Sequence, residues 1–535
     1  MFGAGGGTSS YRELEETDLV ILWGSNARAA HPIFFHHVLR GRRNGARLVV
    51  VDPRRTASAA WADLWLGIDV GTDIALANAV GREIIHAGLV DERFVERATT
   101  GFDAYAEAVE PWTLRRAEEV TGVPAAAIAE LARAYATAPT AQLCWTLGVT
   151  EHHDATNNVF ALIDLALLTG HVGRWGSGLV PIRGQNNVQG GGDMGALPNK
   201  LPGFQDVADA AARSRFEEAW GVALPPDPGW HLTAMFEAME RGDLRAVYCI
   251  GENPARSEAD TTRARRLLAG LDLLVVQDLY LTETAELADV VLPAAAAWAE
   301  TEGTVTSSER RVQRVRRAVA PPGEARDDLE ILYALAARMG HDWGEPRPEA
   351  AWDELRRLSP LHAGMSWRRL EEHGGLQWPC PSEDHPGTPF LHGRLWADPP
   401  QGPPAPFVPV DWEPPLDELT EDYPIRLTTG RHLDSYNTGV QSGRYRSPLR
   451  VGGTIDLSPE DAASLGVGEG RRVRVVSRRG AVEAPVRIDP GLRPGLAFMA
   501  FHYDVDVNRL TLDEWDPRSG TSEFKASAVR IEVVD

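Results

Sequence analysis

The stretch 183–195, Arg-Gly-Gln-Asn-Asn-Val-Gln-Gly-Gly-Gly-Asp-Met-Gly, holds residues suited to binding a small anion. One arginine stands among amides and glycines. A guanidinium is a planar fork that holds a carboxylate through two parallel N–H donors, and Gln185 can add a third bond. The stretch follows an apolar helical run at 161–172 and has little helix or strand propensity of its own. A surface linker has such a composition, and an ordered loop facing a small anion is the alternative reading. A second kind of chemistry is carried by Gly24-Ser25-Asn26 and Gly251-Glu252-Asn253. Glycine lets a backbone come close to a phosphate. Asp52 and Asp278 follow, and each could hydrogen-bond a ribose or a guanine edge, or cap its own turn. No complete Gly-x-Gly-x-x-Gly accompanies them, which disfavours a plain NAD site. The adjacent pairs His36-His37 and His152-His153 read as solvated or structural histidines. His-Glu-x-x-His and Gly-x-Ser-x-Gly are absent, so zinc-protease and serine-hydrolase chemistry lose support.

The elements that must carry these residues are legible from apolar runs. Residues 18–23 (DLVILW) and 47–51 (RLVVV) read as buried parallel strands joined by a helix at 32–44. Residues 62–68 read as a further strand and 74–87 as a helix, with Thr72 or Asp73 as its N-cap. Residues 124–136 form an alanine-rich helix. The plan then repeats, with strands at 244–250, 271–276 and 288–293 and a helix at 261–269. Gly24 to Asp52 spans nearly the same distance as Gly251 to Asp278, and Asp52 to Asp63 the same as Asp278 to Asp289. Two similar α/β units are expected, each with Gly-x-Asn after one strand and Asp after the next. Ligands of such open sheets bind at the carboxyl ends of the strands. From 425 onward, short strands at 425–429, 454–457, 472–477, 481–488, 496–500 and 528–533 predict a closed β domain. The glycine-rich opening, 1–10, reads either as a frayed arm or as part of a larger folding unit.

Length and composition agree. The 535 residues suggest about three to five domains. A net charge of −22 argues against nucleic acid or an anionic membrane as the main partner. Cys144, Cys249 and Cys380 are far apart and form no Cys-x-x-Cys, so they build no Cys₄ iron–sulfur or zinc site. No run has the apolar length of a membrane span, and no secretory signal opens the chain. A cytoplasmic protein is expected.

Against this frame the chain resembles the molybdopterin oxidoreductases of the dimethyl sulfoxide reductase superfamily, and within them the catalytic alpha subunit of molybdenum or tungsten formate dehydrogenases. The resemblance is carried by RGQNNVQGGGDMGALPNKLPG at 183–203, GSNARAAHP at 24–32, VDPRRT at 51–56, GTDIALANA at 71–79 and IGENP at 250–254. It continues through VQDLYLTETAELADVVLP at 276–293, ETEGTVTSSERRVQ at 300–313 and LTTGRHLDSYNTG at 427–439. It implies an α/β fold of two pseudo-symmetric open-sheet nucleotide-binding domains, 1–185 and an incomplete 186–345. An irregular connection at 346–415 and a C-terminal double-psi β-barrel at 416–535 would follow. It also implies two molybdopterin guanine dinucleotides carrying Mo or W. One would be contacted by Gly24, Ser25, Asn26, Asp52, Arg54, Gly71, Asp73 and Gly148. The other would be contacted by Gly251, Glu252, Asn253, Gln277, Asp278 and Thr284. Gly430, Arg431, His432, Asn508 and Lys525 would reach the cofactors from the barrel. Arg183 and Gln185 would be the catalytic pair, holding formate.

The family's iron–sulfur cluster and its metal-binding cysteine or selenocysteine, followed by histidine, have no counterpart in this sequence, and no metal ligand is assigned. The chain reads as a catalytic subunit without its front end. An iron–sulfur cluster would come from a missing segment or a partner, and an electron-acceptor subunit is expected. A non-catalytic cofactor-binding or structural subunit of a redox complex is the alternative, and a nitrate or polysulfide reductase a third reading. The Arg183-Gly184-Gln185 sequence favours formate over both.

Overall fold

A computed structural model describes residues 1–399, 401–439 and 452–534. The chain divides into two compact units, where the sequence suggested four stretches. The first comprises 1–184, 256–263 and 390–535, and the second comprises 185–255 and 264–389.

The first unit opens with a five-stranded parallel sheet ordered Leu64–Leu66, Arg47–Val51, Leu19–Trp23, Ala141–Trp145, Gly178–Pro181. Three of these strands were legible as apolar runs. Ala141–Trp145 and Gly178–Pro181 were not, since AQLCW carries a glutamine and GLVP is short and proline-ended. Gln142 nonetheless sits fully buried in the sheet. Helices Asp73–His86, Ala125–Thr137 and Ala155–Thr169 cover one face through Ile74, Leu76, Val80, Ile128, Leu131, Leu162 and Leu165. Pro32–Arg43 covers the other through Phe34, Phe35 and Val38. The helix read at 161–172 starts six residues earlier, at Ala155. Thr72 occupies the N-cap position of Asp73–His86 without a side-chain cap bond. The glycine-rich opening is not a frayed arm. Thr8 donates its N–H to the Leu179 carbonyl at 2.9 Å, and Thr8, Ser9 and Ser10 are buried.

Asp164, fully buried on Ala155–Thr169, accepts one bond from the Val408 N–H at 3.1 Å, and its other oxygen has no partner. Burial raises its pKa to about 8, and the Val408 bond opposes this only in part. The folded protein therefore holds a proton here that the unfolded chain releases near pH 4. Stability is lost as pH rises from about 4 to about 8 and is flat beyond. Asp164→Asn is expected to melt higher than the parent at pH 8, by about 1–3 kcal/mol, with the gap closing towards pH 4. Thermal melts across that range check it.

In the second unit, Ala246–Ile250, Leu273–Asp278 and Val290–Pro293 form a three-stranded parallel sheet with Leu273–Asp278 at its centre. Phe236, Ala264, Leu267 and Leu268 pack against one face, on Leu274 and Val276. Ile250, Leu273 and Val290 remain about two-fifths exposed (41%, 43% and 44%) on the opposite face. The stretch expected as an irregular connection contains ordered pieces. Pro348–Leu358 and Trp367–His373 are helices, and Leu376–Gln377 pairs with Arg311–Val315.

The C-terminal strands, part of the first unit, close into a six-stranded barrel. Their order is Ile425–Gly430, Leu496–Ala500, Ile455–Leu457, Ala481–Ile488, Arg472–Ser477, Ser527–Val533. Two pairs are parallel and four antiparallel. All six strands match the runs read from sequence to within a residue or two. Alternation explains this: Val473, Val475, Val482, Ala484 and Val486 point inward, while Arg472, Arg474 and Glu483 point to solvent.

Candidate active site

The repeat read from spacing is reproduced bond by bond. In the first unit, the Gly24 N–H donates to the Val51 carbonyl at 2.8 Å. Asn26 Oδ1 accepts from the Ser58 N–H and hydroxyl at 3.3 and 3.1 Å, and the Ser58 hydroxyl accepts from the Arg28 N–H at 2.9 Å. In the second unit, the Gly251 N–H donates to the Gln277 carbonyl at 2.9 Å. Asn253 Oδ1 accepts from the Thr284 N–H and hydroxyl at 3.2 and 2.8 Å, and the Thr284 hydroxyl accepts from the Ala255 N–H at 3.0 Å. Asp63 and Asp289 each accept a backbone N–H of the neighbouring strand, from Leu48 and Leu274, at 2.8 Å. A side chain that locks a strand-end turn in the same way twice is hard to reach by chance.

In the first unit this turn opens onto a cleft between the carboxyl ends of the sheet and the barrel. Gly24, Asn26, Asp52, Arg54, Gly71, Asp73, Gly148, Gly430, Arg431 and Lys525 all line it, as expected. Ser25 is buried behind the lining, while His432 and Asn508 lie off it. His432 packs against Phe498, and the Asn508 amide donates to the Arg256 and Ser257 carbonyls. Gly24 and Gly148 touch back to back. A Cβ on Gly148 would lie 2.4 Å from the Gly24 carbonyl oxygen, so neither position accepts a side chain.

The cleft carries both signs of charge. Arg54 lies 3.5 Å over the Phe498 ring. Lys525 Nζ donates to the Thr429 carbonyl at 3.1 Å and pairs with Glu151 at 2.7 Å. Burial, opposed by Arg54, pushes the Asp52 carboxyl up to about 6, and its Oδ1 accepts the Arg54 N–H at 2.9 Å. Asp52 is thus both a turn cap and a cleft group. Asp73 accepts from Trp23 Nε1 at 2.7 Å. Such a site can cradle a polyanion and hold a donor-rich group beside it.

Two further histidines line the cleft and were missed. His31 Nε2 bonds the Arg183 carbonyl oxygen at 2.7 Å, tying the cleft wall to the start of the 183–195 stretch. His152 was set aside because adjacent histidines cannot share a helix face. It lies in a turn, where that argument has no force.

Arg183 is half-buried, and its Nη2 donates to the Gly5 carbonyl at 2.7 Å. Gln185 belongs to the second unit and is exposed. The stretch expected as a loop contains a helix, Val188–Asp193. Buried contacts override its low propensity. Gln189 donates to Asp193 at 2.8 Å, and the other Asp193 oxygen accepts from Trp378 Nε1 at 2.8 Å. In the repeat of the second unit, Gln277 and Thr284 are fully buried and Glu252 is exposed. Asp278 accepts from the Leu279 and Tyr280 N–H groups at 2.6 and 3.2 Å. Cys144, Cys249 and Cys380 are free and buried. Burial raises the Cys249 thiol to about 12, which marks a packing role. No helix among the described residues is long and apolar enough to cross a membrane.

Comparison with known proteins shows the family. The family described as Molybdopterin oxidoreductase matches residues 4–338, and the Molydopterin dinucleotide binding domain matches 425–528. The F420-dependent formate dehydrogenase 2 subunit alpha of Methanococcus maripaludis is 41% identical over 100% of this chain and 79% of its own length. Formate dehydrogenase H of Escherichia coli is 37% identical over 99% of this chain and 75% of its own. Among solved structures, the Acetylene Hydratase from Pelobacter acetylenicus superposes with a TM-score of 0.73 over 99% of this chain and 79% of that one. At 22% identity it speaks for the fold alone.

Proposed function

Since the chain belongs to the molybdopterin oxidoreductase family, we propose that it is a formate dehydrogenase catalytic subunit that binds two molybdopterin guanine dinucleotides and oxidises formate to CO2. The observation that carries this is the cleft. Residues from the first sheet and from the barrel, hundreds of positions apart, meet there with the charges a dinucleotide needs. The twice-built Asn–Ser/Thr turn supports a second copy, served by Gly251, Glu252, Asn253, Gln277, Asp278 and Thr284. The closed barrel, with its two parallel pairs, supports the double-psi reading.

The residues present fit the cofactor. Arg54, Arg431 and Lys525 are cations on the wall of one cleft, able to neutralise a pyrophosphate. Gly24 and Gly148 leave backbone bare where phosphate oxygens approach. Asp52 and Asp73 accept from ribose hydroxyls and base N–H groups. When bound, the molybdenum or tungsten pterin supplies the two-electron acceptor. Formate gives up two electrons and one proton as it becomes CO2. Arg183 holds the carboxylate by its two oxygens and so leaves the C–H free to be directed, with Gln185 adding a donor. An iron–sulfur cluster held by a further segment or by a partner would supply the electron path to an acceptor subunit, and the reading places the protein in the cytoplasm.

Expression in a host that makes molybdopterin tests this. About two pterins and one Mo or W per soluble chain are expected, by pterin fluorescence and elemental analysis. Soluble, folded protein that takes up no pterin overturns it.

A further inference from the structure

We propose that the glycine strap at 5–8, clamped by Thr8 to the edge of the first sheet, is the positioning element that aims the Arg183 guanidinium at a planar carboxylate. This rests on the reading of Arg183 as the formate-binding residue given above.

An arginine side chain is long and is not aimed by its own backbone. Held at one end only, its fork takes many orientations, and a two-point grip on a carboxylate needs one of them. Arg183 is held at both ends. Its carbonyl oxygen bonds His31 Nε2 at 2.7 Å, and its Nη2 donates to the Gly5 carbonyl at 2.7 Å. His31 fixes the root of the residue and Gly5 engages its tip. Yet Gly5 belongs to the run Gly5-Gly6-Gly7, backbone with the widest conformational freedom a chain can have. A carbonyl in such a run can aim a guanidinium only if its neighbours fix the run.

Thr8 does so with all of its polar groups. Its N–H donates to the Leu179 carbonyl at 2.9 Å, its hydroxyl accepts the Leu179 N–H at 2.8 Å, and its carbonyl accepts the Leu391 N–H at 2.8 Å. Leu179 lies on Gly178–Pro181, the edge strand of the five-stranded sheet. The Thr8 hydroxyl therefore stands in for the carbonyl that a further strand would offer. Strap and strand run antiparallel, because Thr8 meets Leu179 while Gly5, earlier in the chain, meets Arg183, later in it. The two contacts are successive rungs between the same two stretches, so the first sets the place of the second.

The strap is anchored beyond the rungs as well. The Ser10 N–H donates to Glu13 Oε1 at 2.6 Å, and Glu13 Oε2 accepts the Gly176 N–H at 3.0 Å. On the other side of the glycines, Phe2 stacks on His392 at 4.8 Å. Thr8, Ser10 and Glu13 are buried, so water does not compete for these bonds. The fit is close: a Cβ on Gly178 would collide with Ser9 Oγ and lie 2.6 Å from Thr8 Oγ1.

The test is protection of Arg183 from phenylglyoxal in the pterin-loaded full chain, read by mass spectrometry of its peptide, with formate or bromide added. Formate is planar and needs an aimed fork, whereas bromide is a sphere and needs only the charge. Both are expected to protect the parent. Thr8→Val keeps the shape of the side chain but leaves the Leu179 N–H without its acceptor. It is expected to raise the formate concentration for half-protection roughly tenfold and that of bromide less than about twofold. Thr8→Ser, which keeps the hydroxyl, is expected to restore the parent's formate protection. Gly178→Ala displaces the strap without removing a polar group. It is expected to give the same split between the anions and serves if Thr8→Val does not fold. Unchanged formate protection in a folded variant, or equal loss of formate and bromide, overturns the proposal and leaves the reading of Arg183 standing. A parent that formate does not protect overturns that reading and this assignment with it.

Discussion

Arg183→Ala in the cofactor-loaded enzyme is expected to lower kcat/KM for formate by roughly 10²–10³-fold. A carboxylate held by a guanidinium fork gains two charge-assisted hydrogen bonds, together about 3–5 kcal/mol. Each 1.4 kcal/mol is about tenfold in rate or binding. Arg183→Lys keeps the charge but not the fork and should recover only part of the loss. The Arg183 guanidinium also donates to the Gly5 carbonyl, so the alanine variant should lose about 1 kcal/mol of stability as well. Steady-state kinetics on preparations with measured pterin content separate these effects. Unchanged kcat/KM at equal pterin loading would remove Arg183 from the substrate site.

The second large effect is expected at a residue with no side chain. Gly148→Ala should lower nucleotide and pterin occupancy about tenfold or more and destabilise the fold by about 1–3 kcal/mol. The new Cβ would lie 2.4 Å from the Gly24 oxygen and 2.8 Å from its carbonyl carbon and Cα. All are backbone atoms at a strand end, so no rotamer change relieves the contact. The 146–150 turn must retreat, breaking the Thr146 hydroxyl bond to the Gly24 carbonyl at 2.7 Å. Gly468→Ala, whose Cβ would meet nothing within 4 Å on the barrel, controls for the chemistry of the substitution. Pterin content and thermal melts of both variants give the answer. Normal loading of Gly148→Ala would mean that the contact is not part of the cradle.

Arg183 stood out as a lone cation among amides and glycines, a composition that a surface linker shares, and it was the resemblance that singled it out. The second α/β unit was legible from its spacing. The structure explains why, since the Asn–Ser/Thr bond must span one strand–helix–strand unit in both copies. The barrel strands were legible because a half-buried strand alternates. Local pattern does not carry long-range geometry, and three things were lost to it. Ala141–Trp145 and Gly178–Pro181 become strands only because Leu19–Trp23 and its neighbours offer a parallel edge to pair with. Val188–Asp193 becomes helical because Trp378, far along the chain, anchors Asp193. Glu523 gives no signal in sequence at all, since its ion pair depends on meeting His152 across 371 residues.

By itself, then, the sequence determined the α/β repeat, the barrel and the residue types able to meet phosphate, ribose and carboxylate. These follow from periodicity and from the chemistry of single side chains, which are local properties. Only the tertiary structure decided which charges share a cleft. It pairs His152 with Glu523 and Lys525 with Glu151, and it ties the Arg183 carbonyl to His31. Burial and proximity set the protonation and reach of each group, and both exist only once the chain has closed on itself.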